Sequence, residues 1–306
     1  MKRAVVAAIF AVLAAAFYAL STPLTKLLLA DVGPATLAGL LYLGAGLGMG
    51  IVYVLRRRSG GIAKSDLLRK SDLPFTVAMV VLDILAPILL MLGVERTAAS
   101  NVSLLNNFEI VATALIALVF FGESVSGRLW VAIALVTASS ILLTFDGGEL
   151  SADPGSLLVL GACICWGIEN NCTRRISERS SEQIVTVKGL CSGLGGLVVA
   201  AEVGEVPPEA AIIVAAMVLG FVAYGLSINF YVKAQRDLGA ARTSAFYSLA
   251  PFIGVGFSFA ILGEAPGPTF YLALAGMAVA TALMAWDSLT PNCGRTSERI
   301  SKLQQS

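Results

Sequence analysis

The sequence predicts an all-α integral membrane protein with ten transmembrane helices in two inverted five-helix repeats. Three observations lead there. The chain is too apolar for water: 57% of its 306 residues are hydrophobic and 13% charged, with a mean hydropathy of +0.83, against about 45–50% apolar and about 25% charged in soluble domains. Its apolar residues fall into ten evenly recurring runs. Short motifs of the first five runs recur in the next five.

A hydrocarbon core roughly 30 Å thick takes about 20 residues of helix, and ten stretches qualify: 4–29, 34–55, 73–93, 97–121, 127–144, 155–176, 183–201, 208–232, 240–262 and 268–286. Helices satisfy their backbone groups internally in lipid, and runs this long and continuous exclude the alternating strands of a barrel. Span 1 resembles a secretory signal, with Lys2-Arg3 ahead of it and small residues near Ala14 to Ala16, but it runs on past Leu24 and is expected to be retained. Spans 1, 3 and 9 contain Pro23, Pro87 and Pro251. Each withholds a backbone donor, so interruptions are expected there, either as hinges and carbonyl ligands or as harmless prolines. Gly44 and Gly48 in span 2 and Gly189 and Gly193 in span 7 have the small-xxx-small spacing of close helix packing. Trp130 and Trp286 fall near span ends, where interfacial anchoring is the default.

Lys and Arg gather on the cytoplasmic side of membrane proteins. With the amino terminus inside, the cytoplasmic segments collect eighteen of the 21 basic residues, among them Lys2, Arg3, Arg56, Arg57, Arg58, Arg174 and Arg175. The outer loops hold Asp31, Glu95, Asp146, Glu149, Asp153, Glu202, Glu205, Glu209 and Glu264, with Arg96 and the nearby Lys26 as their only cations. A miscounted helix would scramble this separation. The expectation is a multi-pass protein of the plasma (cell inner) membrane with both termini cytoplasmic.

The duplication is visible in the residues. Tyr18-Ala-Leu-Ser-Thr-Pro-Leu-Thr25-Lys26 aligns with Trp166-Gly-Ile-Glu-Asn-Asn-Cys-Thr173-Arg174 at an offset of 148. Gly44 and Gly48 match Gly189 and Gly193 at offset 145, and Gly122-Glu123 matches Gly263-Glu264 at offset 141. Five spans per half make the second half enter the membrane from the opposite side. The expected division is 1–145 for the first repeat, 146–287 for the second and 288–306 for a polar cytoplasmic tail. Inverted repeats recur in secondary transporters, because two similar halves facing opposite ways give inward-open and outward-open states of similar energy. The bland alternative is a duplication that reflects folding history alone.

The chain to about Trp286 resembles the drug/metabolite transporter superfamily in its EamA-type branch. The residues behind the resemblance are Trp166-Gly167-Ile168-Glu169-Asn170-Asn171 with Thr173-Arg174, the Ala98-to-Leu105 entry to span 4, and the repeated Gly-Glu endings. The chain departs from symmetry where Ile110 stands opposite Pro251. The resemblance implies ten spans in two five-helix repeats and transport of a small solute.

Three carboxylates lie at mid-depth, where an ionisable side chain usually faces a cavity, a partner or a transport path: Asp83 in span 3, Glu109 in span 4 and Glu169 in span 6. Helical spacing places Asn106, Glu109 and Thr113 on one polar stripe, with Trp166 and Asn170 flanking Glu169. Loss of water favours the neutral form of a carboxyl group, which makes Glu109 and Glu169 candidate proton or cation sites. The alternative is that they fasten helices through hydrogen bonds to asparagine. Asp83 is expected to form a structural ion pair with Lys188 of span 7. Tyr18, Trp166, Tyr224 and Tyr247 are deep enough to line a cavity and to meet an ammonium group through their ring faces. Glu123 and Glu264 each precede a helix and are expected to interact with its amino terminus.

Histidine is absent, which weighs against metal and Ser-His chemistry, and no DxxD, DxxxD or HExxH run exists for a metal-dependent transferase. No cofactor or metal is expected. The five cysteines form no CxxC pair and read as small buried hydrophobes. A net charge of +1 suggests no nucleic-acid partner. Phosphorylated solutes would want mid-depth cations, and only Lys188 comes near that position. The expected function is a non-enzymatic secondary transporter that exports or exchanges a small metabolite, amino acid or amine, coupled to protons, as a monomer or homodimer. A uniport facilitator and an intramembrane transferase are the alternatives.

Overall fold

The computed structural model describes residues 2–63, 66–121, 126–144, 153–176, 179–238 and 246–289, and all regular structure among them is helical. The Gly122-Glu123 motif, Cys293 and the expected tail from 290 onward lie outside these residues. Span 1 comprises α1 (Lys2–Ala19) and α2 (Ser21–Leu28), span 2 is α3 (Pro34–Arg58), and span 3 is α4 (Leu73–Arg96). Span 4 comprises α5 (Ala99–Leu105) and α6 (Phe108–Phe121), and span 5 is α7 (Gly127–Thr144). In the second half come α8 (Pro154–Arg175), α9 (Ser181–Glu202), and α10 (Ala210–Gly220) running through a π segment (Phe221–Leu226) into α11 (Ser227–Leu238). Then follow α12 (Ala250–Leu262) and α13 (Pro268–Leu289).

Eight of these spans are long and apolar enough to cross a membrane unaided. The other two differ for visible reasons. At 22 residues α8 is long enough, but its last two turns are Glu-Asn-Asn-Cys-Thr-Arg-Arg. At 13 residues α12 is short because it restarts after a turn at residues 248–249.

The interruptions are not all where proline places them. Span 1 turns at Leu20, three residues before Pro23, which has no N–H to offer Ala19 O. Span 4, expected to be continuous, breaks at Asn106 and Asn107, where the backbone tightens: Asn107 N donates to Leu104 O at 3.0 Å and Glu109 N to Asn106 O at 3.2 Å. Span 9 repeats this turn, with Leu249 N donating to Phe246 O at 3.2 Å. Pro251 follows it in the first turn of α12, where a missing N–H costs nothing. Pro87, by contrast, does not interrupt span 3. α4 runs unbroken through it, held between α8 and α9.

Each long helix finds its main partner in the other half: α3 on α9, α7 on α13, α4 on α8, and α1 on α11. Exchanging the halves returns the same pairings, since spans 3 and 6 pack as spans 8 and 1 do. The α3–α9 crossing is antiparallel and made by glycine. A Cβ on Gly189 would lie 2.4 Å from Gly46 Cα, and one on Gly196 3.0 Å from Gly39 Cα. Gly44 and Gly48, aligned with Gly189 and Gly193 at offset 145, instead face Met217 and Phe221 of span 8. An offset of 143 pairs Gly46 with Gly189 and fits the crossing better. Small residues fill the interior, while Ile51, Val77, Val119, Phe120, Val198 and Leu272 point outward. This is the inside-out apolar distribution of a lipid-facing bundle.

Polar caps close the helix ends. At one end of the bundle Glu205 accepts from Ala35 N at 3.0 Å, Thr36 N at 2.7 Å and Thr36 Oγ1 at 2.7 Å, capping α3. Glu264 does not serve the helix that follows it. It accepts from Ala99 N at 2.7 Å and Ser100 N at 2.9 Å, because α12 packs on α5 and brings the loop beyond it over the unpaired N–H groups of that helix. Asp153 caps α8, and Lys26 Nζ donates to carbonyls at the end of α4, including Thr97 O at 2.8 Å. At the opposite end Arg179 Nε lies 2.8 Å from Asp72 and Arg56 pairs with Glu182. The cysteines differ in burial: Cys163 is enclosed, whereas Cys191 is exposed on the outward face of α9.

Candidate functional site

Four helices bring charge to the centre of the bundle. Asp83 stands on α4, Glu109 on α6, Glu169 on α8 and Lys188 on α9, each one or more turns inside its helix or, for Glu109, just past the break of span 4. Lys188 Nζ lies 3.0 Å from Asp83 Oδ2 and 3.2 Å from Glu169 Oε1. The Asp83 contact is ionic without hydrogen-bond alignment. Both carboxylates are 1% exposed. Tyr42 of α3 donates its hydroxyl to Asp83 Oδ1 at 3.1 Å, and Thr173 donates to Glu169 Oε1. Two buried carboxylates thus share one ammonium, with a hydroxyl donor on the other oxygen of Asp83 and one on the same Oε1 of Glu169. Such pairs persist only when their desolvation is answered by this kind of bonding.

Glu109 has neutral partners. Asn170 Nδ2 donates to Glu109 Oε1 at 2.7 Å and approaches Thr113 Oγ1 at 3.2 Å. Asn171 Nδ2 bridges Thr113 O at 3.1 Å and Gly167 O at 2.8 Å, locking α8 to α6. Asn106 does not join this group. The turn at 106–107 ends the periodicity that would align it with Glu109 and Thr113, and it lines a cavity of about 10 Å³ with Tyr18, Thr22, Ser103, Pro251 and Gly254. Asn106 Oδ1 and Ser103 Oγ lack hydrogen-bond partners there.

Tyrosines connect the two regions. Their ring centroids step from Tyr231 to Tyr247 (5.1 Å), to Tyr18 (5.8 Å), to Tyr224 (5.9 Å) and to Tyr42 (5.7 Å). Tyr224 sits on the π segment, whose extra residue per turn re-aims side chains. Trp166 is buried beside Tyr42. Glu109 is within electrostatic range of Tyr18, Tyr224 and Tyr247. Tyr18, Glu109, Asn170, Lys188, Tyr224 and Tyr247 are all half-buried.

Sequence reasoning missed Tyr42, Thr173 and the second carboxylate on Lys188. Tyr42 had a signal, being a polar aromatic near the middle of an apolar, glycine-rich span. Chemically, the centre can exchange a proton or an organic cation against its carboxylates, with aromatic faces alongside.

The EamA-like transporter family profile matches the chain twice, over residues 5–145 and 153–286. The chain belongs to the EamA-like transporter family. Among curated relatives, this EamA chain is 24% identical over 267 residues to an uncharacterized transporter of Methanothermobacter thermautotrophicus, covering 81% of this chain and 77% of the relative. It is 22% identical over 226 residues to the uncharacterized transporter YyaM of Bacillus subtilis, covering 71% and 74%. A crystal structure with 17% identity superposes with a TM-score of 0.63 over 92% of this chain and 96% of the other, which shows a shared fold. As an EamA protein, the chain is a multi-pass membrane protein of a family that transports small molecules.

Proposed function

We propose that this EamA protein is a secondary transporter that works by alternating access and exports or exchanges a small metabolite, amino acid or amine against protons. The observation behind this reading is the convergence of Asp83 and Glu169 on one lysine, with Glu109 held by Asn170 on the adjacent helix, beside a half-buried tyrosine wall. Two buried carboxylates on one ammonium, with the half-buried Glu109 nearby, need further positive charge, and a proton and a cationic or zwitterionic solute can supply it in turn. The two profile matches and the exchangeable pairings support repeats spanning 1–145 and 146–287, followed by a tail at 288–306. Segregation of basic and acidic loops supports both termini in the cytoplasm of the cell inner membrane. One copy supplies every group named, so the working unit is a single chain whether it is isolated or paired.

The test is proton movement in proteoliposomes driven by a panel of metabolites. Wild-type protein should couple solute entry to proton exit, and Glu109→Gln or Glu169→Gln should abolish the coupling. Solute flux without proton movement would leave a uniporter instead, and Gln variants that couple normally would remove the proton assignment.

A further inference from the structure

The charges at the centre distinguish among solute classes, given that the site is a transport site as proposed above. Lys188 is its only cation among the described residues, and that ammonium is already shared by Asp83 and Glu169 at 3.0 and 3.2 Å. A solute carboxylate would find no free positive charge and would meet three acidic side chains. Glu109, in contrast, is held by an amide donor from Asn170 at 2.7 Å and has no cationic partner within ion-pair distance among the described residues. Asparagine orients a carboxylate without neutralising it. Tyr18, Tyr224 and Tyr247 form a connected set within electrostatic range of it, and the negative faces of such rings favour a cation.

We infer that the solute is an organic amine bearing one positive charge and no carboxylate, received by Glu109 and the tyrosines. Lys188 serves as the fixed charge partner of Asp83 and Glu169, not as a solute ligand. The reason is charge balance. With Lys188 in place, the α4–α8–α9 cluster retains a single excess negative charge, which one proton cancels. The groups facing that cluster are Tyr42 of α3, Glu109 of α6 and Cys172 one turn along α8. None of them supplies a cation. Glu109 then remains as the carboxylate free to pair with a solute.

A matched trio separates the classes: isoamylamine, leucine and isovalerate share a branched carbon skeleton and differ in which charged groups they bear. Equilibrium binding to the purified full-length chain in detergent should favour isoamylamine over leucine by about tenfold or more, with isovalerate weakest. Leucine binding as tightly as the amine overturns the inference and leaves the transport reading intact. Failure of all three to bind, in protein that transports other solutes, also overturns it. Absence of any coupled transport defeats the broader reading separately.

The role of Lys188 has its own test. The joint variant D83N/K188M removes one charge of each sign and should shift the affinities for isoamylamine and leucine by the same factor to within about threefold. E109Q should lose about tenfold or more in amine affinity. Were Lys188 a ligand for a solute carboxylate, D83N/K188M would lose leucine binding while melting normally, and the assignment would fall. K188M alone, which leaves Asp83 and Glu169 unpaired, checks folding: its melting temperature should drop and recover in the joint variant. No recovery overturns the pairing role.

Discussion

Gly189→Ala should loosen the seam between the two halves. The added Cβ would stand 2.4 Å from both Cα and N of Gly46 and 2.8 Å from Tyr42 O, whereas carbon contacts are comfortable at about 3.5–4.0 Å. The overlap of about 1 Å is with backbone, so no change of rotamer relieves it. α3 and α9 must part, and the neighbouring approaches of Gly193 to Leu43 and of Gly196 to Gly39 open with them. Overpacking costs about 3 kcal/mol at the upper end of its usual range, and alanine returns about 1 kcal/mol of helix propensity, leaving a net loss of about 2 kcal/mol. Burial offers no offset, because lipid solvates a methyl group as well as protein does. Reversible unfolding of the purified protein in mixed micelles measures the loss. Gly256→Ala is the control, since a Cβ there meets nothing within 4 Å, and it should match or slightly exceed wild type. A Gly189→Ala protein as stable as wild type would refute the seam as a backbone contact.

Two further outcomes follow from single side chains. Burial pushes the Asp153 carboxyl up, but hydrogen bonds from Ser156, Thr97 and Gly155 outweigh it and hold the group below its ordinary value. A carboxyl depressed on folding contributes stability that is complete above its unfolded value of about 4 and is lost as pH falls through the folded value. Asp153→Ala should therefore cost about 1 kcal/mol near neutral pH and flatten the acid-side decline in melting temperature; an unchanged acid slope would count against the cap. Tyr42→Phe strips Asp83 Oδ1 of its donor and should cost about 1.5–3 kcal/mol. It should also weaken solute-coupled proton movement, and wild-type stability in that variant would remove Tyr42 from the cluster.

The spans were legible because a helix in lipid must be apolar over a fixed length, a constraint written into consecutive residues. Local breaks were less so. Pro23 and Pro251 announced theirs, but Asn106-Asn107 reads as helix by periodicity alone, and the π segment at Tyr224 has no sequence mark. Pro87 sent the opposite false signal, since packing on two helices holds α4 together. At the centre, the residue types were visible while their grouping was not. Lys188 reaches Glu169 as well as Asp83 only because α4, α8 and α9 converge, and Glu264 caps α5 only because α12 packs there. Contacts between halves depend on a crossing geometry that no local pattern encodes.

The carboxylates of Glu205 and Glu264 come from the second half, yet they close on the amino termini of α3 and α5 in the first. If the protein alternates as proposed, they are latches between its moving parts. Each is worth about 1 kcal/mol as a helix cap, so the pair weights the population of the latched form by about thirtyfold. Any rocking that draws those loops away must release both at once. A carrier of the proposed kind would thereby be biased to stay shut at that end, and solute binding would have to supply the difference before it opens.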